Sequence, residues 1–179
     1  MRQVIHKVFW AWEAEKEQAW LNEMAAKGMA LVAVGFCRYE FEACQPGEYQ
    51  YCLELLMNHP NHPESRQYLQ FLEDTGVEHV GSYLRWVYLR KRTQDGPFEL
   101  YSDNESRIKH VTLIIRLLAG LGIANLTIGL YNVILACTFG LPINWMGLVN
   151  LLISAFLGWG AWRLMQKRKR LQSESQIYE

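Results

Sequence analysis

The chain has 179 residues, a net charge of zero and an apolar half. That length excludes two large domains and leaves room for one ordinary domain with a small second unit. The neutral average conceals a split: residues 1–110 hold 16 acidic and 12 Lys/Arg residues, residues 111–179 hold 2 and 6, and the acidity of the first part argues against direct nucleic-acid binding.

MRQVIHKVFWAW at the start runs straight into EAEKE, with no apolar core or small-residue cleavage site, so a signal peptide is not expected. Residues 3–12 read as a strand. Residues 13–27 read as a helix with Trp20, Leu21, Met24 and Ala25 on one face and Gly28 as its stop. Residues 29–41 and 48–57 alternate as a hairpin closed around Gln45, Pro46 and Gly47. After the loop HPNHPE, a helix over 63–75 carries Tyr68, Leu69 and Leu72 and ends at Gly76; a last strand fills 77–92. The order β-α-β-β-α-β predicts an α+β class, a ferredoxin-like cytosolic domain over 1–92.

Such a domain covers one sheet face with helices and leaves the other open. Strand aromatics are numerous enough to occupy both faces, so an aromatic surface for a partner is expected, with Trp10, Trp12, Arg85, Trp86 and Tyr88 as the contact candidates. Cover by the chain's own linker or by the membrane is the alternative.

Residues 93–116 form a connector. Asp95, Gly96 and Pro97 mark a turn, Phe98 to Tyr101 can run back along the domain, and Ser102 with Glu105 has capping-box spacing, which would start a helix at Asp103. Between Arg116 and Arg163 no charged residue or histidine occurs. As one helix those 46 residues would be about 70 Å long against a hydrocarbon core of about 30 Å. Two transmembrane helices over 117–138 and 145–165, joined by an extracytoplasmic turn over 139–144, fit instead; residues 166–179 make a basic cytosolic tail. Arg107, Lys109 and Arg116 before the first span, and Arg163 with Lys167 to Arg170 after the second, place both termini in the cytoplasm. Gly122, Asn125, Gly129 and Asn132 on the first span, and Asn150, Ser154 and Gly158 on the second, predict a close helix–helix seam, with Asn132 and Asn150 at matching depth; a homodimer seam is the other use of such a stripe.

Chemical motifs are sparse. His59 and His62 supply too few ligands for zinc, and no nucleophile motif or phosphate loop is present, so no metal, cofactor or catalytic residue is assigned and an enzyme is not expected. The cysteines lack paired spacing and read as free thiols, with Cys37 and Cys52 on facing strands.

The phrases WLNEMAAKG (20–28), GEYQYCLELL (47–56), FLEDTGVEHVGSYLRWVYLRK (71–91) and GPFELYSDNESRIKH (96–110) together resemble the bacterial family called domain of unknown function 2812. The resemblance implies a multi-pass protein of the bacterial inner membrane and brings no catalytic residues. Its members are often encoded beside PadR-like transcriptional repressors. The functional expectation is a membrane-anchored regulatory or interaction module whose cytosolic domain binds a protein, a PadR-like repressor being the candidate, with membrane lipid around the hairpin. The alternative is a small apolar-ligand binder or sensor for antimicrobial or membrane stress.

Overall fold

The computed structural model describes residues 2–100, 104–140, 142 and 145–177. It divides into two compact units, Met1–Ser102 and Asp103–Glu179. The first holds β1 (Gln3–His6), α1 (Ala14–Ala26), β2 (Met29–Gly35), β3 (Arg38–Ala43), β4 (Tyr49–Leu55), α2 (Pro63–Asp74), β5 (Glu78–Tyr83) and β6 (Trp86–Arg92). The second is α3 (Asn104–Phe139) and α4 (Trp145–Ile177).

The ferredoxin-like expectation is corrected here. The α+β class stands, but six strands form two three-stranded antiparallel sheets, ordered β1-β3-β2 and β4-β6-β5. Two stretches read as single strands are hairpins. Residues 29–41 fold back at Phe36 and Cys37, with Gly35 paired to Arg38, and residues 77–92 fold back at Leu84 and Arg85, with Tyr83 paired to Trp86. Each two-residue turn needs a left-handed backbone, which falls on Cys37 (φ 52°) and Leu84 (φ 56°) rather than on glycine. The segment Gln45 to Gly47 therefore links two sheets instead of closing a hairpin. β1 stops at His6, and Trp10 and Trp12 lie beyond the sheet, at a single 3-10 turn over Ala11–Glu13.

The domain is a β-α-β-β unit built twice at an offset of 48 residues. Gly28 and Gly76, both with positive φ, stop the two helices. The turns at Phe36 and Leu84 keep the same offset, as do the ladder irregularities between Leu31 and Ala33 in β2 and between His79 and Gly81 in β5. A three-stranded sheet with one helix cannot cover both its faces, and two of them packed together can.

The core follows from that pairing. Leu21, Met24 and Ala25 of α1 pack with Leu31, Tyr39 and Phe41 of the first sheet and Tyr51, Leu53 and Tyr88 of the second. Alternation along β6 sends Val87 and Leu89 to the opposite face, where they meet Leu69 and Leu72 of α2 together with Phe98 and Leu100 from the connector. The second sheet is thus covered on both sides. The open face of the first sheet carries the polar residues Arg38, Glu40 and Glu42, with an Arg38–Glu40 ion pair at 2.6 Å. No bare aromatic sheet face results; Phe98 and Leu100 of the chain's own connector supply part of the cover, which is the alternative reading of the aromatic strands.

The sheet edges are satisfied across the two halves. Leu31 N–H donates to Tyr51 Oη at 2.8 Å and Arg90 Nη1 donates to Leu31 O at 3.2 Å. On β4, Tyr51 N–H donates to Asn22 Oδ1 and Leu53 N–H to Gln18 Oε1, both on α1. Edge groups that would otherwise recruit another strand are closed off.

In the second unit, α3 and α4 pack along one seam. Val111, Ile114, Leu118, Gly122, Gly129 and Ala136 recur at helical spacing as the buried positions of α3, and Gly147, Gly160, Ala161 and Leu164 do so on α4. Gly129 and Gly147 let the backbones approach: a Cβ on Gly147 would stand 2.8 Å from Asn132 Cβ, and one on Gly129 2.7 Å from Leu151 Cδ2. Gly122 meets Leu157 and the Ser154 carbonyl. Gly158 is exposed with nothing near its Cα substituent position, so it is not part of the seam. Asn125, Asn132 and Asn150 donate their amides to the carbonyls of Leu121, Ile128 and Met146, four residues back in their own helices. Both helices are long and apolar enough to cross a membrane, and only 28% and 17% of their apolar windows are buried. Ser102 and Asp103 of the proposed capping box, and Leu141, Ile143 and Asn144 of the turn, lie outside the described residues.

Candidate functional site

Three places in the α+β unit bring chemistry together. The first is internal. Tyr39 Oη and Tyr88 Oη both donate to Glu17 Oε1 at 2.6 Å. Tyr39 stands on the central strand of one sheet and Tyr88 on the central strand of the other, so one carboxyl group of α1 ties both halves. Burial raises the Glu17 pKa against the lowering effect of the two tyrosine bonds, and burial beside that group lifts both phenols above their usual range. Trp20 stands edge-on to Tyr39 and Phe41, and Phe9 packs on Trp20.

The second is a surface formed where the strands turn. Val8, Trp10, Phe36, Met57 and Leu84 are 58%, 49%, 75%, 70% and 67% exposed. Contacts within the domain gather them at one end. Lys7 N–H donates to the Cys37 carbonyl at 3.1 Å, the Phe36 ring lies 5.8 Å from that of Tyr83, and Leu56 N–H donates to Arg85 O at 2.9 Å. Arg85 returns the bond, its Nε donating to Leu56 O at 2.8 Å. Trp10 and Trp12 stack 5.6 Å apart and nearly parallel, and the Lys7 ammonium sits 4.6 Å from the Trp20 ring.

The third is a groove of about 420 Å³ between α2, β5 and the loop before α2, lined among others by His59, Arg66, Glu73, His79 and Ser82. His79 Nε2 and Ser82 Oγ are 2.7 Å apart. Among the described residues no group of three or more His, Cys, Asp or Glu is placed to hold a metal.

The five partner-contact candidates separate accordingly. Trp10 and Trp12 form the stacked pair at the turn end. Arg85 is the second residue of the β5–β6 turn and spends its guanidinium on Leu56. Trp86 packs half-buried against the main core. Tyr88 is 5% exposed and bonded to Glu17, so it is an interior residue and not a surface one. Phe36, Met57 and Leu84 were not anticipated. Their signal was local: large apolar residues at turn tips, where polar or small ones belong. Cys37 and Cys52 do not face each other across a ladder; Cys37 is in a turn, and Cys52 lies on β4, its thiol pushed up to about 11 by burial.

The family model described as Protein of unknown function (DUF2812) matches residues 13–123. No curated protein and no solved structure matches.

Proposed function

We propose, for a chain that belongs to the DUF2812 family of proteins of unknown function, that it is a membrane-anchored interaction module of the bacterial inner membrane. α3 and α4 are the anchor, with both chain termini on the cytoplasmic side. The α+β domain is the part that holds a protein partner, and a PadR-like transcriptional repressor is the candidate the family resemblance supplies.

The observation that carries this reading is the character of the helical pair. Gly122, Gly129 and Gly147 are spent on the seam, while Ile123, Ile128, Ile134, Leu152 and Trp162 on the outside are 65%, 50%, 61%, 71% and 53% exposed. A pair of helices apolar on the outside needs hydrocarbon as its solvent. Basic residues at Arg107, Lys109 and Arg116 and again at Arg163 and Lys167 to Arg170 flank the two apolar runs on the same side. For the partner, the groove beside α2 offers a recess with Arg66 and Glu73 in its lining, suited to a polar loop or side chain.

Two measurements test the reading. The full chain stays in the pellet after alkaline carbonate extraction of membranes, and release into the supernatant overturns the anchor. A detergent pull-down is expected to recover a PadR-like repressor from wild type and to lose it with Arg66→Glu; equal recovery from both rejects the groove, and no recovery rejects the partner. A second reading, an apolar-ligand sensor, draws on the aromatic rings around Glu17 between the sheets, and a rise in unfolding temperature with apolar compounds is its test.

A further inference from the structure

We infer that the groove beside α2 takes an extended strand of the protein partner, gripped through the strand's main chain by Gln70 and Arg66. The inference rests on the partner reading above and deepens it, naming which part of the partner enters and by which atoms it is held.

The doubling of the domain shows the same groove in its filled form. Arg66, Gln70 and Glu73 of α2, with His79, Ser82 and Leu84 of β5 and its turn, line the open groove. Forty-eight residues earlier stand Gln18, Asn22, Ala25, Leu31, Val34 and Phe36, and each of them meets the second sheet or the link into it. Gln18 Oε1 accepts from Leu53 N–H at 3.1 Å, and Ala25 O accepts from Gly47 N–H at 2.8 Å. Leu31 N–H donates to Tyr51 Oη, Val34 lies over Gly81, and the Phe36 ring lies beside that of Tyr83. α1 with β2 is thus a groove in which β4 and β5 are seated, and α2 with β5 repeats it, open among the described residues.

The filled groove sets the chemistry of the occupant. Asn22 takes both polar groups of one strand residue, its Oδ1 accepting from Tyr51 N–H at 2.8 Å and its Nδ2 donating to Tyr51 O at 3.1 Å. Gln70 puts a carboxamide at the same helical position, exposed and with the same donor and acceptor. Its Nε2 rests on Asp74 Oδ1 at 3.1 Å, an exposed bond that a strand carbonyl can replace. Where Gln18 accepts an N–H, Arg66 can only donate, so it meets a strand carbonyl or an acidic side chain. Glu73, in place of the buried Ala25, calls for an N–H or a basic group. An edge strand or an extended segment has main-chain groups to offer in this way, whereas a helix has spent its own. A second copy of the chain fits badly. The sheet seated on α1 points Trp86 and Tyr88 at the core between the halves, and the first sheet has Arg38 and Glu40 at those positions, paired with each other.

Hydrogen–deuterium exchange on the full chain in detergent, with the PadR-like repressor of the pull-down above, tests this. One repressor segment of about 5–6 residues, the length of a usual strand, is expected to exchange fast when free and at least about tenfold more slowly in the complex. Gln70→Ala should weaken binding about tenfold, as befits two lost hydrogen bonds, and restore fast exchange in that segment. Gln67→Ala, exposed on α2 and outside the groove, should change neither. Protection confined to repressor segments already slow before binding, or binding indifferent to Gln70→Ala, overturns the strand and leaves the partner standing. New protection in this chain's own first sheet, with none in the repressor, makes the occupant a second copy and overturns the strand as well. No complex at all overturns the partner reading, and the strand with it.

Discussion

Gly81 of β5 lies so close to Val34 of β2 that a Cβ on it would stand 3.1 Å from Val34 Cγ1. The edges of the two sheets meet there, and the missing side chain is what lets them. Gly81→Val is expected to destabilise the α+β domain by about 1–3 kcal/mol, the usual cost of overpacking. Chemical denaturation in mild detergent, followed by tryptophan fluorescence, reads the shift; an unchanged midpoint would mean the edges are not held in contact.

Glu17 makes a second, electrostatic tie. Glu17→Ala leaves two buried phenols without their acceptor and is expected to cost about 2–4 kcal/mol, whereas Glu17→Gln retains a carbonyl oxygen and costs less. The pH dependence has a definite sign. The folded pKa lies above the ordinary 4.5, so the folded state binds the proton more tightly than the unfolded one. That contribution is full below about pH 4.5 and is lost as pH rises through the folded value. Wild type should therefore lose stability relative to Glu17→Gln over that window. A wild-type advantage over Glu17→Gln that grows with pH would show that the carboxylate, not the acid, is the form the fold prefers.

The left-handed turn residues give a prediction of opposite direction. Leu84 at φ 56° is strained as a branched side chain, and Asn tolerates that region better. Leu84→Asn should raise domain stability by about 0.5–1 kcal/mol.

The helical seam distinguishes two glycines that look alike in sequence. Gly147→Ile would drive a side chain into Asn132 and the facing backbone, and should lower the unfolding temperature of the detergent-solubilised chain by several degrees. A Cβ at Gly158 meets nothing within 4 Å, so Gly158→Ile should leave that temperature unchanged. Equal effects at both positions would place a second contact, such as a copy of the chain, on the Gly158 face.

Helices and their stops were open to reading because their causes are local. Gly28 and Gly76 end α1 and α2, and the apolar faces with Leu21 and Leu69 match the observed contacts. The sheet architecture was hidden for an equally physical reason. Turn chemistry at Phe36-Cys37 and Leu84-Arg85 lacks the Asn-Gly or Asp-Gly signature, since tertiary packing there imposes a positive φ on residues that do not favour it. A 16-residue strand over 77–92 was itself too long beside a usual strand of about 5–6 residues, and that length was the available warning. The doubling was equally faint: between 14–43 and 62–91 only Leu21 and Leu69, Gly28 and Gly76, and Val32 and Val80 coincide. Tyr88 was assigned to a surface because burial between two sheets depends on a partner sheet that periodicity along one strand does not reveal.

The 48-residue doubling has a bearing on how such a chain can be cut or rearranged. Neither half owns enough cover for its own sheet, so a polypeptide ending after Ala43 would recruit a second molecule to supply what residues 49–92 provide in cis. The link from Cys44 to Glu48 is then less a hinge than a tether that sets the local concentration of one half around the other. Severing it should leave two fragments that reassociate, with Glu17 on one fragment reaching for the Tyr88 hydroxyl on its neighbour.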